Sequence, residues 1–245
     1  MTRQDHIRSY RKRCRPGSGE TSCQVVIEQS DLFIISTTDV RSRALERLNM
    51  IRSQIKNYIF LHPEFGASLS PVQVRATAPD IIRNMAQAAE LFNVGPMAAV
   101  AGAVAQDIAD YLARENQEVL VENGGDIFIR SQKDRVVGLL PHPHEPLNLG
   151  LAVRKDQTPC SVCSSSASIG HSLSLGKGDL VAVMANSGAV ADAAATAICN
   201  LLQTRKSMAE ISRDKNSLFK KGITGILAQM GEDLLVVGDM ELTFI

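Results

Sequence analysis

In the stretch VADAAATAICN, Val190 to Asn200, Asp192 and Thr196 stand four residues apart among alanines. At helical spacing two such residues share a face, about 5–6 Å apart. A hard cation such as Mg²⁺ takes oxygen ligands, and it needs few from the protein where phosphates and waters supply the others. A carboxylate and a hydroxyl so placed make a metal half-site, and alanines leave room beside it for a ligand or a facing backbone. A plainer reading stays open. Asp192 is then a carboxylate favoured by the dipole at a helix start, with Thr196 bonded to its own helix.

Two other stretches carry chemistry-bearing residues. ENGGDIF places Glu122 and Asn123 before a Gly124-Gly125 turn and Asp126 after it. The turn sets backbone N–H groups and a carboxylate at a strand edge, where they can hold an anion or a ligand's polar rim. The same residues also make an ordinary hairpin. CSVCSSSASIGHSLSLGKGD opens with Cys160 and Cys163 in a C-x-x-C. That is half a zinc site, and no spacing obliges Cys14, Cys23 or His171 to complete it. Cys163, followed by Ser164, Ser165 and Ser166, reads as the start of a serine-rich loop in which a thiol could be reactive. A buried, inert cysteine is the alternative. His171 suits a ligand, a base or a loop anchor. The GKG at Gly176 to Gly178 lacks the Walker spacing. The basic run YRKRCR, Tyr10 to Arg15, reads as a solvated patch at a frayed end.

The elements that must position these residues follow from periodicity. Cys23 to Glu28 and Leu32 to Ser36 read as strands. A helix capped by Thr38 or Asp39 carries Val40, Ala44, Leu48, Ile51, Ile55 and Ile59 on one face. HPEFGASLSPV reads as a loop. A second helix from Pro79 turns Ile82, Met85, Ala89 and Phe92 inward. After Gly95-Pro96 comes a small-sided helix, MAAVAGAVAQDIADYLARE, then two strands around the Gly-Gly turn. Further strands fall at Arg135 to Leu139, Leu149 to Val153 and DLVAVMA. A helix runs from Ser187 to about Arg205, and two or three strands close the chain. No internal repeat stands out. Helices mixed with hairpins in this order indicate an α+β fold.

Composition bounds the function. The chain has 245 residues, zero formal net charge, no tryptophan and 4% aromatics, so neither nucleic acid nor an anionic membrane is indicated as a partner. The N-terminus has no apolar signal core, and no run is long enough to span a membrane. With five cysteines, these features lead to the expectation of a reducing, cytoplasmic setting.

The order of VGPMAAVAGAVA, VENGGDIFI, CSSSASIGHSLS and VADAAATAICN resembles the ApbE-like superfamily. Its best-known members are Mg-dependent FAD:protein FMN transferases. The sequence is more similar still to an uncharacterised branch of anaerobes and methanogens, some of whose members are associated with incorporating sulfide into homocysteine. The resemblance implies helices packed on mostly antiparallel sheets, as one domain over residues 1–245 with a basic segment at 1–22, or as two similar halves. It implies Mg²⁺ on Asp192 and Thr196, and a flavin or other nucleotide near Gly95, Met97, Gly102, Glu122, Asn123, Gly124, Gly125, Asp126, Ser164, Ser165 and Ser166. It makes Cys163 and His171 the catalytic candidates. Three functions follow as expectations: a component of sulfur incorporation, a Mg-dependent flavin-binding or FMN transferase-like protein, or a non-catalytic assembly subunit. The expected partners are a small-molecule ligand or proteins of a sulfur-incorporation pathway, with a homo-oligomer left open. Three features depart from the transferases. Ala101 precedes Gly102 where they typically carry a lysine, Cys163-Ser164-Ser165-Ser166 replaces Thr-Ser-Gly, and GHSLS lacks His-x-x-x-Pro.

Overall fold

The structure, a computed structural model, describes residues 11, 14, 16–139, 149–166, 176 and 178–245. Thr21–Ile27 (β1) and Ser30–Ser36 (β2) form a hairpin that turns Cys23, Val25, Leu32 and Ile34 to one side with the strand period of two. Arg41–Leu61 (α1) buries Ala44, Leu48, Ile51 and Ile55 at helical spacing. Asp39 caps its start by accepting the Arg41 N–H at 3.0 Å, while Thr38 donates its hydroxyl to Asn116. The expected loop after α1 contains a short helix, Pro63–Ala67 (α2), begun by a proline and pinned by the buried Phe65. Asp80–Phe92 (α3) turns Ile82, Met85, Ala89 and Phe92 inward as its pattern predicts. The Gly95-Pro96 break gives a 3₁₀ turn, Pro96–Ala99, before Val100–Leu112 (α4).

The second part of the chain is richer in strands. Val119–Asn123 (β3) and Asp126–Arg130 (β4) flank the Gly-Gly turn. Arg135–Leu139 (β5), Leu149–Val153 (β6), Cys160–Ser165 (β7) and Leu180–Ala185 (β8) follow. Gly188–Leu201 (α5) and Arg205–Lys220 (α6) lead into Ile223–Met230 (β9), Asp233–Gly238 (β10) and Glu241–Phe244 (β11).

Eight strands make one antiparallel sheet in the order β1-β2-β3-β4-β7-β8-β9-β10, and β11-β6-β5 make a smaller one. The large sheet is two similar halves. In each, two strands lead into helices and two strands follow, α1 to α4 serving the first half and α5 and α6 the second. The halves join at the β4–β7 ladder. The middle of the large sheet is covered on both faces. β8 is buried at all six positions because Val181, Val183 and Ala185 meet the helices while Leu180, Ala182 and Met184 meet the small sheet. Among the described residues, no single helix is long and apolar enough to cross a membrane.

Two further stretches differ from the sequence reading. Cys163 begins no loop but sits in β7, a strand paired on both sides. Its serines suggest a loop, yet Ser161 donates its hydroxyl to the Ile127 carbonyl at 2.9 Å and Ser164 to the Gly125 carbonyl at 3.1 Å, so their polarity is satisfied within the sheet. The helix expected from Ser187 to Arg205 ends at Leu201, and α6 follows, which the hydrophobic pattern does not announce. Only Met208 and Ile211 of its sixteen residues are buried.

Candidate functional site

The helix starts of the two halves meet at Gly102 and Gly188. A Cβ on either glycine would overlap the carbonyl oxygen of the other, so only hydrogen fits at both. Each helix then caps the other. Gly102 N–H donates to Asp192 Oδ2 at 2.9 Å, and Gly188 N–H donates to Gln106 Oε1 at 2.8 Å. Both acceptors lie four residues beyond their own glycine. The sequence carries the correspondence as GAVAQ, Gly102 to Gln106, and GAVAD, Gly188 to Asp192. The expectation of no internal repeat is corrected by this short one. Gln106 and Gly188 are the residues that motif reading misses, and the repeat is the signal that points to them.

Asp192 and Thr196 are both almost buried, at 7% and 8% exposure. Among the described residues the Thr196 hydroxyl makes no hydrogen bond, so it is not consumed by its own helix. Asp192 keeps its second oxygen free of the Gly102 contact.

The hairpin docks onto this joint. Gly124 and Gly125 adopt φ of 71° and 114°, the left-handed geometry that a two-residue hairpin demands. Asn123 donates to the Ala101 carbonyl at 3.2 Å, tying the turn to the start of α4. Gly125 N–H, a candidate anion donor, is already bonded to Glu122 Oε1 at 3.2 Å. Asp126 accepts the Ser164 N–H at 3.2 Å and bonds the Cys163 thiol. Burial pushes the Asp126 carboxyl up to about 7, with the Glu122 charge adding to it and the Cys163 and Ser164 donors opposing. Burial, then the Asp126 charge, raises Asp192 well above the ordinary carboxylate range against the pull of the Gly102 and Ala101 N–H groups.

Cys163 lies fully buried between these carboxylates. Its sulfur is 3.2 Å from Ser161 Oγ and 3.7 Å from the Gly188 carbonyl. Burial first, then the charges of Asp126 and Asp192, hold the thiol protonated. This corrects the expectation of an accessible loop thiol. The C-x-x-C is not a joint site either. A spacing of three on a strand sends side chains to opposite faces, Cys163 toward the helices and Cys160 toward the small sheet, where burial pushes its thiol up to about 12. Among the described residues no cluster of three or more His, Cys, Asp or Glu is arranged to hold a metal, so a cation here would lean on hydroxyls and ligand oxygens.

Ser165 is buried with its hydroxyl unpartnered among the described residues, and Ser166 is buried beside it. Gly95 is not part of the joint, since its missing side chain makes room for the Ser68 carbonyl. Met97 packs half-buried against the core. His171 lies outside the described residues. The N-terminal run is not a solvated patch at Arg11. That side chain is buried and bonded to Glu122 at 2.6 Å and Asp31 at 2.7 Å.

A two-halved antiparallel sheet with a Gly-Gly-Asp hairpin docked on an Ala-Asp-x-x-x-Thr helix defines an ApbE-like protein. A family model described as AbpE bacteria matches residues 11–233, and the chain belongs to that family. It is 37% identical over 221 residues to a UPF0280 protein of Methanocaldococcus jannaschii, covering 88% of this chain and 89% of the relative. A UPF0280 protein of Methanopyrus kandleri is 40% identical over 196 residues, covering 78% of each. Among solved structures, the chain is similar in fold to the apo flavinyl transferase ApbE of Pseudomonas stutzeri (TM-score 0.51, 12% identity, 89% of this chain and 94% of that one). The ApbE protein of Thermotoga maritima gives a TM-score of 0.50 at 12% identity, over 91% and 96% of the two chains. At such identity these two speak for the fold alone.

Proposed function

We propose that the joint of α4, the β3–β4 hairpin, β7 and α5 binds a divalent cation together with a flavin or other nucleotide diphosphate, the cation on Asp192 and Thr196. One observation carries this reading. Asp126 and Asp192 are buried carboxylates, and among the described residues neither has a cationic partner. By contrast, the more exposed Asp107 and Asp110 of α4 pair with Arg47 at 2.7 Å and with Arg130 at 2.6 Å. Those carboxylates have cations of their own; Asp126 and Asp192 leave their charge to be met from outside, because an uncompensated buried carboxylate is costly. The donors fit a hard ion: the second oxygen of Asp192, the unbonded Thr196 hydroxyl and waters or phosphates. Such an ion would neutralise charge on a bound pyrophosphate. The chain's own residues orient the site, Gly102 fixing the Asp192 rotamer and Asn123 holding the hairpin against α4. The name of one structural neighbour, a flavinyl transferase, supports a flavin as the nucleotide.

Transfer of FMN to a protein is a separate matter. Ala101 stands where the transferases resembled here carry a lysine, which supports binding without that transfer. A sulfur-transfer role in homocysteine formation would need Cys163 as a thiolate, which burial and two flanking carboxylates oppose.

Thermal melts with FAD or ADP, with and without Mg²⁺, test the proposal on wild type and Asp192→Asn. A ligand binding only the native state raises Tm. The expected result is a Mg-dependent rise in wild type that vanishes in Asp192→Asn, while the apo variant melts no lower than wild type. No rise in wild type, or an equal rise in the variant, overturns it.

A further inference from the structure

We propose that Arg11 is a positioning residue for the site, setting through Glu122 the Gly-Gly turn on which Asp126 is carried; this rests on the cation-and-nucleotide reading above. Arg11 Nε donates to Glu122 Oε2 at 2.6 Å, and the other Glu122 oxygen accepts the Gly125 N–H at 3.2 Å. The guanidinium also donates to Asp31 Oδ1 at 2.7 Å and the Asp31 carbonyl at 2.9 Å, and it lies 5.8 Å from the Phe33 ring centroid. Phe33 and Glu122 are cross-strand partners, so the arginine spans β2 and β3 at the end where the hairpin turns.

The hairpin is thereby clamped from the face opposite the site. Glu122 pairs with Ile127 across the ladder and Asn123 with Asp126, and neighbouring pairs point to opposite faces. Glu122 reaches Arg11 on one side, while Asp126 reaches Cys163 and Ser164 on the other. The Arg11 and Glu122 side chains are 8% and 10% exposed, so the pair is a built contact across 111 residues of chain. A planar fork serving Glu122 and both groups of Asp31 is a geometry that one ammonium cannot copy. Without it Glu122 loses a charge-assisted donor that orients it beneath Gly125, and the turn is freer to shift relative to α4 and β7.

The experiment compares wild type, Arg11→Ala, Arg11→Lys and Arg11→Ala/Glu122→Gln. FAD affinity is measured at saturating Mg²⁺, and amide hydrogen exchange is followed in residues 119–127, with β8 and β9 as controls. Arg11→Ala is expected to weaken FAD on the order of tenfold, as loss of a charge-assisted hydrogen bond network does. Exchange should quicken in 119–127 and at the Asp31 turn that the same guanidinium holds, and not in β8 and β9. Arg11→Lys should recover only part of the loss, affinity and protection in the same proportion, and the Glu122→Gln change should add little once Arg11 is gone. Unchanged affinity in Arg11→Ala overturns the inference. So does exchange that quickens equally in β8 and β9, which would mark a general loss of stability, and so does recovery of protection by lysine without recovery of affinity. If wild type does not bind FAD, the functional proposal fails separately. The inference on Arg11 then stands or falls on whether exchange quickens in 119–127 while β8 and β9 stay protected.

Discussion

The chemistry of each cysteine is set by where its side chain points. Read as a sequence, Cys163 belongs to a serine-rich loop and should outpace Cys199 toward an alkylating agent. In the fold both are fully buried, and of the five cysteines Cys14 alone is exposed. Native labelling with iodoacetamide should therefore modify Cys14 first, at least about tenfold ahead of the buried thiols, which must wait for local opening. The raised Cys14 thiol, held up by partial burial and by Glu122, slows this step without closing access. Mass spectrometry of the digested protein checks the order, and early modification of Cys163 would restore it as a nucleophile. The Asp192–Thr196 pair was legible because i and i+4 share a helix face whatever the surroundings. The state of Cys163 was not, because it depends on Asp126 and Asp192, distant in sequence and brought together only by the sheet.

At the scale of elements, the crossing of α4 and α5 is the contact that the fold can least afford to change. Gly102→Ala or Gly188→Ala would drive a methyl into a backbone carbonyl, which no rotamer can relieve. Each should cost about 3 kcal/mol or more, the upper range of overpacking. Gly19→Ala serves as a control, since a Cβ there meets nothing within 4 Å, though its φ of +77° adds some strain of its own. Gln106→Ala should cost less, about 1–2 kcal/mol, by leaving the Gly188 N–H unpaired. Urea unfolding of the four variants ranks them, and a Gly102→Ala protein as stable as wild type would refute the crossing. The strands and helices with clear period, β1, β2, α1, α3 and α4 among them, were readable in advance. β7 was hidden because two of its serines bond to carbonyls of β4 and the hairpin turn, and α6 because a surface helix with two buried residues leaves little periodic trace. The GAVAQ and GAVAD repeat was on the page, but five residues of small side chains in an alanine-rich chain gain meaning only when both copies touch.

For the whole molecule, the same buried carboxylates make stability depend on pH in a particular direction. Asp126 moves from an unfolded value of 3.8 to about 7 in the fold, and Asp192 is raised as well. A carboxyl raised on folding contributes its full stabilisation below the unfolded pKa, where it is neutral in both states. That contribution is lost as pH rises from the unfolded pKa through the folded one, because the unfolded chain ionises freely while the buried group resists. Glu20 acts in the opposite sense. Arg135 lowers it from 4.5 to about 2, so its contribution is present above the unfolded pKa and is lost as pH falls below it. The two windows scarcely overlap. The apo protein should melt highest near about pH 5, lower at about pH 8 as Asp126 and Asp192 ionise, and lower again below about pH 4 as Glu20 and its like are protonated. Asp126→Asn should flatten the limb between about pH 5 and 8 and leave the acid limb untouched. Mg²⁺ with FAD should flatten the same limb in wild type, since a cation on Asp192 favours the ionised form that burial resists. Melting curves across this range, apo and with Mg²⁺ and FAD, decide the matter. An apo protein more stable at about pH 8 than at about pH 5 would mean that Asp126 and Asp192 already hold cationic partners of their own, and the argument for a bound ion would lose its footing.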